Sequence, residues 1–225
     1  MGRRIGLLGG SFNPIHLAHL RAAEEIRERC RLDEVRFIPA AAPPHKPATD
    51  LAPAADRLHM VRLAIEGTQG FRASAMEIDR GGTSYSVDTI RQVLSEPDPA
   101  ERLVFILGLD AFREIHTWKD HEAIFGACDL AVLPRPGSAT RLGVEDFPVA
   151  SRGCVCYDPL RDCFRHESGH TTTLFPISAL DVSATEIRRR VREHRSIRFL
   201  VPAPVERYIH ERQLYRPLSR RPTPL

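Results

Sequence analysis

Two short stretches of the chain carry residue types that could handle a phosphate. The first is Gly9-Gly10-Ser11-Phe12-Asn13-Pro14-Ile15-His16-Leu17-Ala18-His19. It follows the apolar run Arg4–Leu8 and precedes an amphipathic one, so it reads as a turn from a buried strand into a helix. Glycines at such a turn let backbone approach a phosphate closely, and the helix N-terminus supplies oriented N–H donors. His16 and His19 are three apart and share one face of the first helical turn. Two imidazoles there suit an anion that gains charge during reaction. A metal pair is the competing use, but no third His, Cys or carboxylate stands nearby at usable spacing. No Walker A sequence occurs, which removes a P-loop as the phosphate cradle. Taken residue by residue, the stretch supports a phosphate or nucleotide site and nothing finer.

The second stretch is Asp181-Val182-Ser183-Ala184-Thr185-Glu186-Ile187-Arg188. Ser183 and Glu186 have the spacing of a capping box, which accounts for those two residues. It leaves Thr185 and Arg188, three apart at a second helix N-terminus, where a hydroxyl and a guanidinium could hold a polyphosphate. The following Arg189-Arg190-Val191-Arg192 reads as a solvated helix face. Cys154, Cys156, Cys163, His166 and His170 fall within 17 residues and could be drawn as a zinc site. Their C-x-C-x6-C-x2-H-x3-H pattern matches no familiar ligand spacing, so a loop with incidental thiols is the expectation.

Positioning these groups requires strands alternating with helices. Strands are expected at Arg4–Leu8, Val35–Pro39, Phe71–Ile78, Leu103–Leu107 and Leu130–Leu133, with Thr171–Pro176 returning to the sheet. Helices are expected at Leu17–Leu32, Ala54–Glu66, Ser86–Leu94, a short segment ending near Trp118, Ser183–His194 and Pro204–Gln213. Ala40–Pro53 is a proline-rich loop. The alternation predicts an α/β fold: one Rossmann-like, doubly wound, mainly parallel sheet with helices on both faces and a C-terminal helical segment. Residues 1–216 are expected to form one domain, with 135–170 as an insertion or surface excursion and 217–225 as a frayed tail.

Composition narrows the class further. The 225 residues carry 32 basic and 29 acidic side chains, net +3, and 42% hydrophobic residues. That is ordinary for a globular chain and argues against disorder or a membrane span. No signal peptide is recognisable, so a cytoplasmic location is expected. Five cysteines, an odd number, read as free thiols. Only 188–198 approaches a basic stripe, so neither nucleic acid nor membrane is an expected partner.

Gly10-Ser11-Phe12-Asn13-Pro14 with His16-x-x-His19 resembles the G-x-F-x-P-x-H-x-G-H signature of the nucleotidyltransferase superfamily. Ser183-Ala184-Thr185-x-x-Arg188 resembles its second signature, S-[ST]-T-x-x-R. Ala18 and Ala184 depart from these patterns by small changes. Pro43-Pro44-His45-Lys46, Thr83-Ser84-Tyr85-Ser86-x-Asp88-Thr89 and Gly108-Leu109-Asp110 followed by Trp118 resemble segments of the bacterial nicotinate-nucleotide adenylyltransferases, as does Leu214-Tyr215. The resemblance covers residues 3–216, with 140–170 the least matched. It implies transfer of AMP from ATP to nicotinate mononucleotide with release of pyrophosphate, in NAD biosynthesis. Another phosphorylated acceptor (nicotinamide mononucleotide or phosphopantetheine) or a non-catalytic nucleotide- or nucleic-acid-binding module are the alternatives. The resemblance further implies that Gly9, Gly10, Ser11, Phe12, His16, His19, Gly108, Asp110, Ser183, Thr185 and Arg188 bind ATP. Of these, His16, His19 and Arg188 would be catalytic. Lys46, Tyr85, Ser86 and Trp118 would bind the mononucleotide. Mg²⁺ would be held by substrate, with no protein ligand set, and a homo-oligomer is left open.

Overall fold

Along the first strand, β1 (Arg4–Gly10), side chains alternate between two apolar layers: Ile5 and Leu7 face one, Leu8 the other. Gly6 shares the second face, where a Cβ would stand 2.7 Å from the Leu32 side chain. The same period of two runs through β4 (Arg102–Gly108) and β5 (Asp129–Leu133). Phe105 and Val132 meet one layer; Ile106 and Ala131 meet the other. Strands apolar on both faces must be covered on both, which is the condition for a buried parallel sheet.

This is a computed structural model, and it describes residues 2–44, 51–98, 100–134, 141–178 and 180–216. With β2 (Glu34–Pro39), β3 (Phe71–Ala73), β6 (Val155–Asp158), β7 (Cys163–His166) and β8 (Thr171–Leu174), eight strands lie in the order β3-β2-β1-β4-β5-β8-β7-β6. The pairs from β3 to β8 are parallel, while β7 is antiparallel to both neighbours. Helices α1 (Leu17–Arg29), α2 (Ala54–Ile65), α7 (Ala184–Arg192) and α8 (Ala203–Glu211) pack on one face. On the other face lie α4 (Ser86–Leu94), α5 (Leu109–Arg113) and α6 (His121–Ala127). The expected doubly wound α/β fold is therefore present. No helix among the described residues is long and apolar enough to cross a membrane.

The structure differs from the sequence expectation in four places. β1 runs on through Gly9 and Gly10, which hydrogen-bond in register with β2 instead of turning. The strand expected over Phe71–Ile78 stops at Ala73, and Met76–Arg80 forms a short helix, α3. Glu77 on that helix is buried and accepts a 2.6 Å hydrogen bond from the Thr89 hydroxyl, a long-range partner no local pattern reveals. A further helix, α6, follows Trp118. Finally, part of the stretch read as a surface excursion joins the sheet. Val155–Asp158 and Cys163–His166 form a hairpin whose Phe164 packs on Phe147 at 4.8 Å. Residues 135–140 and 217–225 lie outside the described residues.

Candidate active site

β1 and β4 are neighbours from which the chain winds in opposite directions, first to β2 and β3, then to β5 and β8. Ligands of such sheets bind at the carboxyl ends of the strands flanking that reversal. The stretch after β1 is built for that place. Phe12 adopts a left-handed backbone (φ 42°), uncommon for a bulky residue. Its buried ring lies 3.5 Å from where a Gly10 Cβ would stand and edge-on to His19, with centroids 5.1 Å apart. His16 caps α1 in an extended conformation. Its ring stacks on His19 with centroids 3.7 Å apart. The His16 backbone N–H donates to His19 Nδ1 at 3.3 Å, so a neutral His19 ring carries its proton on Nε2. His16 is only 6% exposed, and burial lowers its pKa to about 4, which keeps the ring neutral at pH 7. Its Nδ1 is buried with no hydrogen-bond partner among the described residues.

The second stretch reaches this same end. Arg188 Nη1 donates to the Asn13 carbonyl at 2.9 Å across 175 residues of sequence, and Nη2 lies 3.3 Å from Thr185 Oγ1. Ser183 Oγ accepts from the Glu186 N–H at 3.2 Å, one half of the capping box. The Glu186 carboxylate instead pairs with Arg189 and Arg190. Ser183 and Thr185 are left exposed at the head of α7.

Gly108 and Asp110 stand at the end of β4, on the same edge as Gly9 and Gly10, since Leu8 pairs with Ile106. Asp110 is exposed in the first turn of α5. A Cβ on Gly108 would meet nothing within 4 Å, and one on Gly9 only Phe105 at 4.0 Å, so the chain itself does not require either glycine. Tyr85, Ser86 and Trp118 gather on the α4 side. Tyr85 caps α4 and Ser86 is its first residue. The Lys119 ammonium lies 5.0 Å over the Tyr85 ring, and Trp118 packs edge-on against Phe105 at 6.2 Å. Lys46 lies outside the described residues.

Sequence reasoning missed Arg57. It is 1% exposed and donates to the carbonyls of Ser11 (2.8 Å), Ala52 (2.9 Å) and Ala41 (3.1 Å). It thereby ties the turn after β1 to both ends of the proline-rich loop. Asn13 and Ser84 add to this tie: Asn13 Oδ1 accepts from Ala52 N and Ser84 Oγ from Ala41 N. A signal was present, because Arg57 falls at helical spacing with Val61 and Ile65, a charge on an apolar stripe.

The cysteine-histidine group divides. Cys154, His166 and Glu167 each bring one ligand atom within 4.8 Å of the others, while Cys156 is exposed and Cys163 buried. The His170 carbonyl accepts from the His166 backbone N–H. Among the described residues this trio is the only cluster with a metal-ligand arrangement, and it sits on the hairpin, away from the histidine pair. The donors at the carboxyl edge are imidazoles, hydroxyls, a guanidinium and the Asp110 carboxylate, which form no hard-oxygen cage.

A profile of the cytidylyltransferase-like family matches residues 7–190. Proteins named "Probable nicotinate-nucleotide adenylyltransferase" are close in sequence. One from Geobacter sp. (strain M21) is 50% identical over 212 residues, 94% of this chain and 98% of its own. Another from Syntrophotalea carbinolica is 45% identical over 217 residues, 96% and 99% of the two chains. In structure, the nicotinic acid mononucleotide adenylyltransferase of Plasmodium falciparum, solved with NaAD, superposes with a TM-score of 0.70 at 17% identity. That superposition covers 95% of this chain and 97% of that one, and it speaks to the fold.

Proposed function

Because this chain belongs to the nicotinate-nucleotide adenylyltransferases, within the cytidylyltransferase-like family, we propose that the carboxyl edge of β1 and β4 carries their reaction. The enzyme is a nucleotidyltransferase of NAD biosynthesis that joins AMP from ATP to nicotinate mononucleotide. A phosphate oxygen of the mononucleotide attacks the α-phosphorus of ATP. The bond from that phosphorus to the bridging oxygen breaks, and pyrophosphate leaves with the electron pair. The nucleophile is already anionic, so no covalent enzyme intermediate is needed, and catalysis consists of alignment plus charge stabilisation.

The observation that carries this reading is the Arg188–Asn13 hydrogen bond, which joins the two phosphate-suited stretches at one edge. In this arrangement the glycines, Ser11 and Phe12 shape the turn against which ATP lies. His19 donates from Nε2 to an α-phosphate oxygen as charge builds there. His16, neutral through burial, backs the His19 ring and adds no charge of its own. Ser183, Thr185 and Arg188 hold the β- and γ-phosphates. Gly108 lets adenosine approach β4, and Asp110 accepts a ribose hydroxyl. Trp118 stacks on the pyridine ring, enclosed by Tyr85 and Ser86, with Lys46 adding charge from the proline-rich loop. Mg²⁺ enters with ATP, held by phosphate oxygens and water, and neutralises part of their charge.

The test is pyrophosphate release from ATP and Mg²⁺ with nicotinate mononucleotide, its amide or phosphopantetheine as acceptor. Turnover on the acid, lowered about 100-fold or more in His19→Ala, is expected. Preference for either other acceptor would reassign the substrate. Silence with all three, from folded protein, would overturn the placement of the site.

A further inference from the structure

The opposite, amino-terminal edge of the sheet holds a separate cavity of about 350 Å³, within the range of small-molecule sites. Its rim is made by the first residues of four strands: Arg4 of β1, Arg102 of β4, Asp129 of β5 and Thr171 of β8. The end of α1 adds Arg29 and Arg31, and Val104 and Phe175 line an apolar wall. Four guanidinium groups thus surround one carboxylate. That carboxylate is already engaged, since Asp129 pairs with Arg102 and accepts from the Thr171 backbone N–H (2.7 Å) and hydroxyl (2.8 Å). Arg29 reaches Glu25 at 3.6 Å. Among the described residues, Arg4 and Arg31 have no ion-pair partner. A concave site lined by one sign of charge concentrates the opposite ion, and a partly apolar wall favours an ion with a carbon body.

We propose that this cavity is a binding site for a small organic anion. Its phosphate or carboxylate group pairs with Arg4 and Arg31, and its compact apolar body lies against Val104 and Phe175. The site is separate from the reaction proposed above: it is built on the other ends of β1 and β4 and uses none of the same side chains.

Calorimetric titration of the full chain with phenyl phosphate, benzoate and inorganic phosphate tests this directly. At least one aromatic anion should bind about tenfold more tightly than inorganic phosphate, because the wall buries its ring. The double variant Arg4→Gln/Arg31→Gln should lose about tenfold in that affinity, as charge-assisted hydrogen bonds are removed. Thr173→Phe, which keeps every charge and fills the cavity, should lose as much. His19→Ala/Trp118→Ala should bind the anion like the parent. Equal affinity for aromatic and inorganic anions overturns the proposal. So does unchanged affinity in both cavity variants, or loss in the His19/Trp118 variant. Because no arm reads turnover, failure here is distinguishable from failure of the adenylyl-transfer reading.

Discussion

At the scale of single residues, the histidine pair divides its labour through burial. His16 has its pKa lowered to about 4 from the 6.5 of an unperturbed imidazole. Between those values the unfolded chain binds a proton that the folded chain does not. The associated stability is therefore fully present above pH 6.5 and is lost as pH falls toward 4, by about 3 kcal/mol in total. Denaturant titrations of the ligand-free protein should show this acid slope, and His16→Gln should flatten it. His19 differs, because in the proposed arrangement it meets charge that develops during reaction. His19→Ala should lower kcat by about 100-fold or more while leaving the denaturation midpoint near that of the parent. The glycines permit a further separation of ligand from fold. Gly108→Ala puts its methyl into open space, so stability should hold. The KM for ATP should rise, since only an approaching adenosine would meet that methyl. An unchanged KM would move adenosine away from β4.

At the scale of elements, the site depends on contacts that hold the ends of α1, α2 and α7 together. Arg57 on α2 satisfies three carbonyls with one planar fork, and burial lowers its pKa despite the charge of Glu77. Arg57→Met should cost about 2–4 kcal/mol in chemical denaturation, because the carbonyls lose buried donors. It should also raise KM, because the turn after β1 loses its tie to the proline-rich loop. Arg57→Lys should recover little of either, as an ammonium cannot present the same fork. These elements were unevenly legible in the sequence. α1 was evident from apolar residues at helical spacing after the glycine turn, and α7 from the Ser183–Glu186 capping spacing. α3 was not, because five residues are too few to set a period and Glu77 is stabilised by Thr89 on another helix. The β6–β7 hairpin was missed for a related reason. Its strands are four residues each, and Phe164 gains its place from Phe147 and Tyr157.

At the scale of the whole molecule, the direction in which the chain winds across the sheet reverses between the parallel neighbours β1 and β4, and the described residues assigned to the phosphates lie at one edge of that reversal. Binding of a non-hydrolysable ATP analogue should therefore slow amide exchange at residues 11–19 and 183–188 while leaving the hairpin 155–166 unchanged. Protection of the hairpin instead would place the nucleotide elsewhere. The sequence by itself determined which chemical groups the chain possesses and the local structure that carries them. Glycines before a helix, two histidines at helical spacing, and a threonine and arginine at a second helix start are all local, as is the alternation that makes strands buried on both faces. Tertiary structure alone decided which of these groups meet. Arg188 finds the Asn13 carbonyl across 175 residues, Arg57 binds three separated carbonyls, and His16 stays neutral down to about pH 4 only once packing excludes water from it. Local patterns arise from spacing along the chain, whereas hydrogen-bond pairing and desolvation depend on distances that exist only after the sheet has closed its neighbours together.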